Sequence, residues 1–149
     1  MLRIRDLMQT EVTTLNVADT LDLPEDLAHL GRARHFPVVS GDSVVGVLSQ
    51  RDLYHAAISS LLQPHRDASG GLPARVSVEA AMSKTLHTIA PDQPLRAAVK
   101  TMLREQIGCL PVVEHGKLVG LLSESDCLRH LSDVLGVADQ PHAHRDVAL

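Results

Sequence analysis

The sequence predicts an α+β fold made of two pseudo-symmetric β-α-β-β-α lobes, one supersecondary unit used twice. Three observations carry this. Shifted by 74 positions, the chain lies on itself without a gap. Each copy contains two short runs rich in β-branched residues separated by turn residues, FPVV-SGD-SVVGVL and LPVV-EHG-KLVGLL. Around each hairpin lie segments whose apolar residues recur at spacings of three and four.

The shift places Asp52 on Asp126, Ser49 on Ser123, Gly46 on Gly120 and Pro37 on Pro111. Val38 and Val39 meet Val112 and Val113, Leu21 meets Leu95, Thr14 meets Thr88, and Met8 meets Met82. Units this small bury their apolar faces against each other.

Each copy opens with a short amphipathic segment ending at a Met, IRDLM or VEAAM, and continues in a strand-like stretch, EVTTL or TLHTI. A helix follows; in copy two it carries Leu95, Ala98, Val99, Met102 and Leu103 on one face, and Pro94 stands in its first turn. In copy one Pro24 replaces Ala98. A proline inside a helix costs roughly 3 kcal/mol or more, so a late start and a short helix weakened by Gly31 are expected there. The hairpins turn at Gly41-Asp42 and His115-Gly116. A second helix begins after Ser49 and after Ser123. The expected boundaries are 3–62 and 77–136 for the two copies, 63–76 for a linker with Pro64, Ser69, Gly70, Gly71 and Pro73, and 137–149 for a frayed tail.

Composition narrows the function. The 149 residues are 44% hydrophobic and carry a formal charge of -4, with Phe36 and Tyr54 the only aromatic residues. No basic stripe or aromatic platform suggests nucleic acid or an anionic membrane as partner. No apolar run approaches a membrane span, and the charged N-terminal stretch does not resemble a signal peptide, so a soluble cytoplasmic protein is expected. Cys109 and Cys127 sit inside apolar patterns and read as buried thiols. The nine histidines are mostly scattered; His142 and His144 could form a weak chelate, but no metal motif accompanies them.

The stretches DLMQTEVTTL, HFPVVSGDSVVGVLSQRDL, LHTIAPDQPL and CLPVVEHGKLVGLLSESDCL resemble the cystathionine-β-synthase-type (CBS) domain pair, the Bateman module. The resemblance runs from about Arg3 to about Leu135 and rests on motifs repeated in order. It implies a disc-like pair with two equivalent clefts between the lobes, frequent dimerisation, and binding of AMP, ADP, ATP or S-adenosylmethionine. It implies no catalysis and no required cofactor.

Candidate site residues follow. Ser49-x-x-Asp52 and Ser123-x-x-Asp126 fit a helix cap, with a hydroxyl accepting from the third helical N–H and an acid at the positive helix end. The family resemblance adds a ribose-binding role for Asp52 and Asp126, compatible with capping. Before the Pro-Val-Val strands, the resemblance points to phosphate contacts from Arg34 and His35; Gly108 and Cys109 stand there in copy two. Arg51 adds charge beside Asp52, where copy two has Glu124. Asp19 and Gln93, with Thr14 and Thr88, are implied to face the nucleotide held by the other copy, and Ala33 and Ile107 to wall an adenine. The reading is a regulatory adenine-nucleotide sensor, homodimeric through its helices and signalling to a separate protein, with tighter binding at Asp52 than at Asp126. The alternatives are a ligand-free dimerisation adaptor and, more remotely, a metal-dependent enzyme.

Overall fold

The computed structural model describes residues 1–22, 26, 33–62 and 75–136. The expected helix around Pro24, the centre of the linker and the tail with His142 and His144 lie outside the described residues.

The two hairpins superimpose residue for residue in register. Strand β3 (His35–Ser40) pairs antiparallel with β4 (Ser43–Ser49), and β6 (Cys109–Glu114) with β7 (Lys117–Ser123). His35 faces Ser49 as Cys109 faces Ser123, and both ladders shift register after the first Val of Pro-Val-Val. The two-residue turns differ. His115 and Gly116 both adopt positive φ, 50° and 76°, the signs of a type I′ turn. In copy one only Gly41 does, at 61°, as in a type II′ turn. Each hairpin runs into a helix, α1 (Gln50–Leu61) or α4 (Glu124–Leu135), and α3 (Leu95–Glu105) precedes the second hairpin.

The leading segment of each copy packs on the opposite lobe. A 3-10 turn (Ile4–Asp6) puts the fully buried Ile4 among Ile89, Ala98, Met102, Leu110, Val112 and Leu122, all of copy two. Helix α2 (Val78–Ala81) puts Val78 among Leu15, Leu21, Phe36, Val38, Leu48 and Leu53 of copy one. The docking bonds are equivalent: Ile4 N–H donates to the Gln93 carbonyl and Val78 N–H to the Asp19 carbonyl, each at 3.0 Å. Strand β5 (Arg75–Ser77), ahead of α2, pairs antiparallel with β2 (Thr20–Asp22) of copy one. The glycines at the middle of β4 and β7 make this docking possible. A Cβ on Gly46 would stand 2.7 Å from the Ser83 carbonyl oxygen, and one on Gly120 would stand 2.8 Å from that of Gln9.

The strand-like stretches are shorter than expected. Copy one forms only β1 (Leu15–Asn16), parallel to β3, and copy two a single bridge from Ile89 to Val112. The reason is topological. Each stretch crosses between the lobes and pairs only at its ends: Ser83 with Val47 and then Ile89 with Val112, Gln9 with Leu121 and then Leu15 with Val38. The residues between join neither ladder, and in copy two Thr85 and His87 among them wall a cleft.

Candidate functional site

Asp52 and Asp126 both stand at the third position of a helix and form the same reciprocal cap. Ser49 N–H donates to Asp52 Oδ2 at 2.8 Å and Asp52 N–H to Ser49 Oγ at 3.1 Å. Ser123 N–H donates to Asp126 Oδ2 at 2.8 Å and Asp126 N–H to Ser123 Oγ at 3.3 Å. The capping geometry expected from Ser-x-x-Asp is present twice.

Beyond the caps the two carboxylates differ. Asp52 is half-buried and lines a cavity of about 280 Å³ with three walls. Copy one contributes His35, Val47 and Ser49, the crossing stretch Ser83, Thr85 and His87, and copy two Gln106, Ile107, Gly108 and Cys109. Among the described residues, Ser49 N–H is the sole donor to the Asp52 carboxylate, which leaves Oδ1 without a donor. This space adjoins a larger cleft of about 890 Å³, where Arg34, Arg51, Tyr54, Met102, Leu103 and Glu124 join residues common to both. Small-molecule sites occupy roughly 300–1,000 Å³.

Asp126 is 5% exposed and lines neither space. Its Oδ1 accepts from Gln9 Nε2 at 2.9 Å and from Arg129 Nη1 at 3.3 Å, and Ser123 Oγ donates to Oδ2 at 2.8 Å. The 74-residue shift puts Ser83 where Gln9 stands and His55 where Arg129 stands, and neither reaches across to Asp52 with a hydrogen bond.

Arg34 and Arg51 are exposed at the larger cleft and take part in no ion pair among the described residues. His35 departs from its expected cationic role. Burial pushes its pKa below the ordinary 6.5, with Arg34 pushing the same way and Glu124 and Asp52 opposing, so at neutral pH it offers a neutral imidazole. Gly108 keeps this corner open: a Cβ there would come within 3.3 Å of the His35 ring. Cys109 is a buried wall residue, its thiol pushed up to about 12 by burial and by the Glu124 carboxylate.

Several expected residues lie elsewhere. Asp19 and Gln93 line neither cavity; their side chains close equivalent turns, Asp19 accepting from Asn16 N–H and Gln93 from Ala90 N–H, each at 3.1 Å. Their backbone carbonyls hold the docked leading segments, so both are tied into the fold. Ala33, Thr14 and Thr88 are exposed and outside both spaces. Sequence reasoning missed Ser83, Thr85, His87, Tyr54 and Gln106. The available signal was the paired Gly46 and Gly120, strand-centre positions without a side chain, which mark a close backbone approach. Among the described residues no three His, Cys, Asp or Glu side chains group to hold a metal ion, and no helix is long and apolar enough to cross a membrane.

The sequence model of the CBS domain matches residues 4–59 and 77–133. A CBS domain-containing protein of Dictyostelium discoideum is 29% identical over 134 residues, covering 89% of this chain and 92% of the relative. Other relatives are longer: the chain spans 24% of an inosine-5'-monophosphate dehydrogenase of Korarchaeum cryptofilum, at 29% identity over 131 residues and 87% of this chain. Among solved structures, AcuB of Vibrio cholerae superimposes with a TM-score of 0.73 at 29% identity, covering 91% of this chain and 94% of that one. The CBS domain pair of MJ0100 in complex with 5-methylthioadenosine and S-adenosyl-L-methionine gives 0.71 at 17% identity, covering 89% and 97%. CBSX2 in complex with AMP gives 0.70 at 20%, covering 91% and 99%.

Proposed function

The chain belongs to the CBS domain family, and from that premise we propose that it is a regulatory module binding an adenine nucleotide in the cleft at Asp52. The observation that carries this reading is the Asp52 carboxylate itself. It is fixed by its own helix cap, lines an open cavity with one oxygen free of donors among the described residues, and lies near two exposed guanidinium groups without ion-pair partners there.

The chemistry fits a ribose phosphate. The carboxylate accepts the two ribose hydroxyls. Ser49 Oγ, Thr85 Oγ1 and backbone N–H groups at the start of α1 add polar contacts. Val47, Ile107 and Gly108 give the base an apolar and backbone wall. Arg34 and Arg51, in the larger cleft, meet the phosphates, since a guanidinium fork matches a phosphate bidentately. His35 donates as a neutral group and gains a proton as a phosphate approaches. AMP in CBSX2 and S-adenosylmethionine in MJ0100 support the ligand class. No bond is made or broken in this reading. Binding alters how the crossing stretch and the two lobes pack, and a partner protein reads the change.

The reading includes a two-fold dimer through the helices. Tyr54 and Ile58 on α1, and Leu128, Leu131, Val134 and Leu135 on α4, form exposed apolar faces at helical spacing. Light scattering is expected to return the dimer mass at tens of micromolar, and a monomer mass there removes this part.

The test of the main reading is a thermal-shift panel of AMP, ADP, ATP, S-adenosylmethionine and NAD, followed by calorimetry. A ligand that binds only the native state raises the melting temperature by mass action. Asp52→Ala removes the ribose contacts and is expected to weaken binding by at least about tenfold, the equivalent of about 1.4 kcal/mol. No shift with any of the five overturns the nucleotide reading in favour of a ligand-free adaptor.

A further inference from the structure

We infer that Gln9 is a built-in plug: its carboxamide occupies the place at Asp126 that the cleft at Asp52 leaves open, so the chain holds one nucleotide where its internal symmetry provides for two. The inference rests on the reading of the Asp52 cleft given above.

Among the described residues, the elements around Asp126 repeat those around Asp52. The Ser123-Asp126 cap reproduces the Ser49-Asp52 cap bond for bond. The crossing stretch of copy one docks on β7 as that of copy two docks on β4, with Gln9 and Leu121 exchanging backbone hydrogen bonds at 2.9 Å as Ser83 and Val47 do at 2.9 and 3.2 Å. The backbones therefore enter equivalently, and three of the side-chain differences between the copies bear on the Asp126 carboxylate and the space beside it.

Ser83, with its short side chain, makes no hydrogen bond to Asp52, and both line the open cavity. Gln9 carries two more side-chain carbons and a donor; its Nε2 lies 2.9 Å from Asp126 Oδ1. Arg129, where copy one has His55, brings a second donor to the same oxygen at 3.3 Å. The third is Glu11, an exposed residue at the position of Thr85, which brings negative charge to a stretch whose counterpart lines the Asp52 cavity. Together with Ser123, Gln9 and Arg129 supply donors to both carboxylate oxygens, the demand that ribose hydroxyls would otherwise meet. A nucleotide at Asp126 must first displace a charge-assisted hydrogen bond from a buried acceptor, and it gains no more than it breaks.

The experiment transplants the copy-one cleft onto copy two. Gln9→Ser, Glu11→Thr and Arg129→His are combined in the full chain, and bound AMP and ATP per chain are counted by calorimetry, with a melt to confirm folding. The wild type is expected to bind one nucleotide, lost in Asp52→Ala and kept in Asp126→Ala. The triple variant is expected to bind two, the second lost on adding Asp126→Ala. If the triple variant does not fold, Gln9→Ser alone is put through the same titrations. A folded variant that still binds one, or a wild type that already fills the Asp126 cleft, overturns the plug. A wild type that binds none overturns the reading of the Asp52 cleft instead. The variant then decides the plug alone: a nucleotide gained at Asp126 sustains it, and none overturns it.

Discussion

Removing either aspartate separates the two roles of the Ser-x-x-Asp corner, because one carboxylate is held by the fold and the other is left free. Asp126→Ala deletes a helix cap, about 1 kcal/mol. It also removes the acceptor of Gln9 Nε2; Gln9 is an exposed residue and turns to water, so this lost hydrogen bond adds about 0.5–1.5 kcal/mol. Arg129 is 62% exposed and returns to water, so its ion pair adds roughly 0–1 kcal/mol. The loss amounts to about 1.5–3.5 kcal/mol. Asp52→Ala deletes only the cap, about 1 kcal/mol. Urea denaturation without nucleotide, at one protein concentration, measures both. With a slope near 2 kcal/mol/M the midpoint is expected to fall by about 0.8–1.8 M for Asp126→Ala and about 0.5 M for Asp52→Ala. Equal losses, or a larger loss at Asp52, would refute the account of Asp126 as a structural carboxylate.

Three further outcomes are expected. Gly46→Ala and Gly120→Ala each push a Cβ to within 2.8 Å of a carbonyl oxygen and should destabilise by about 1–3 kcal/mol in thermal melts, but only Gly46→Ala, which displaces Ser83, should also weaken nucleotide binding. His35 has its folded pKa held below 6.5 by burial, so the unfolded chain takes up the proton first as pH falls. Its contribution to stability is full above about 6.5 and lost below, and a His35→Leu melt series should show a shallower acid-side decline than wild type; an unchanged slope counts against a buried neutral His35. With Cys109 at about 12, its alkylation by iodoacetamide at pH 8 should run about a hundredfold slower than that of a free thiol, and a comparable rate would mean the cavity wall is open.

Much of the architecture was legible because the repeat is gapless. Pro37, Gly46 and Ser49 recur at fixed spacing, and the paired strands hold the same partners in both copies. The Ser-x-x-Asp caps were legible because capping is local and needs three residues. The walls of the Asp52 cleft were not. Ser83 and Thr85 join the Asp52 cavity only because Val78 docks into the far lobe, a tertiary event that periodicity does not encode. The same blindness hides the turn closure and backbone docking at Asp19 and Gln93, which are invisible until the segments they hold are seen. The charge state of His35 depends on burial and on Glu124 from the other copy, neither of which adjoins it in the chain.

The exchange of leading segments also governs the order in which the chain can fold as it leaves the ribosome. Synthesis runs from the N-terminus, yet the first hairpin lacks Val78 and Met82 until copy two has begun to emerge. Residues 4–9 have their partners, Gln93 and Leu121, still further downstream. Ile4, fully buried in the finished protein, therefore stays without its pocket through most of translation. Neither half is a self-sufficient folding unit, and a ribosome-bound fragment ending before β7 should remain protease-sensitive at its N-terminus until the last strand is released.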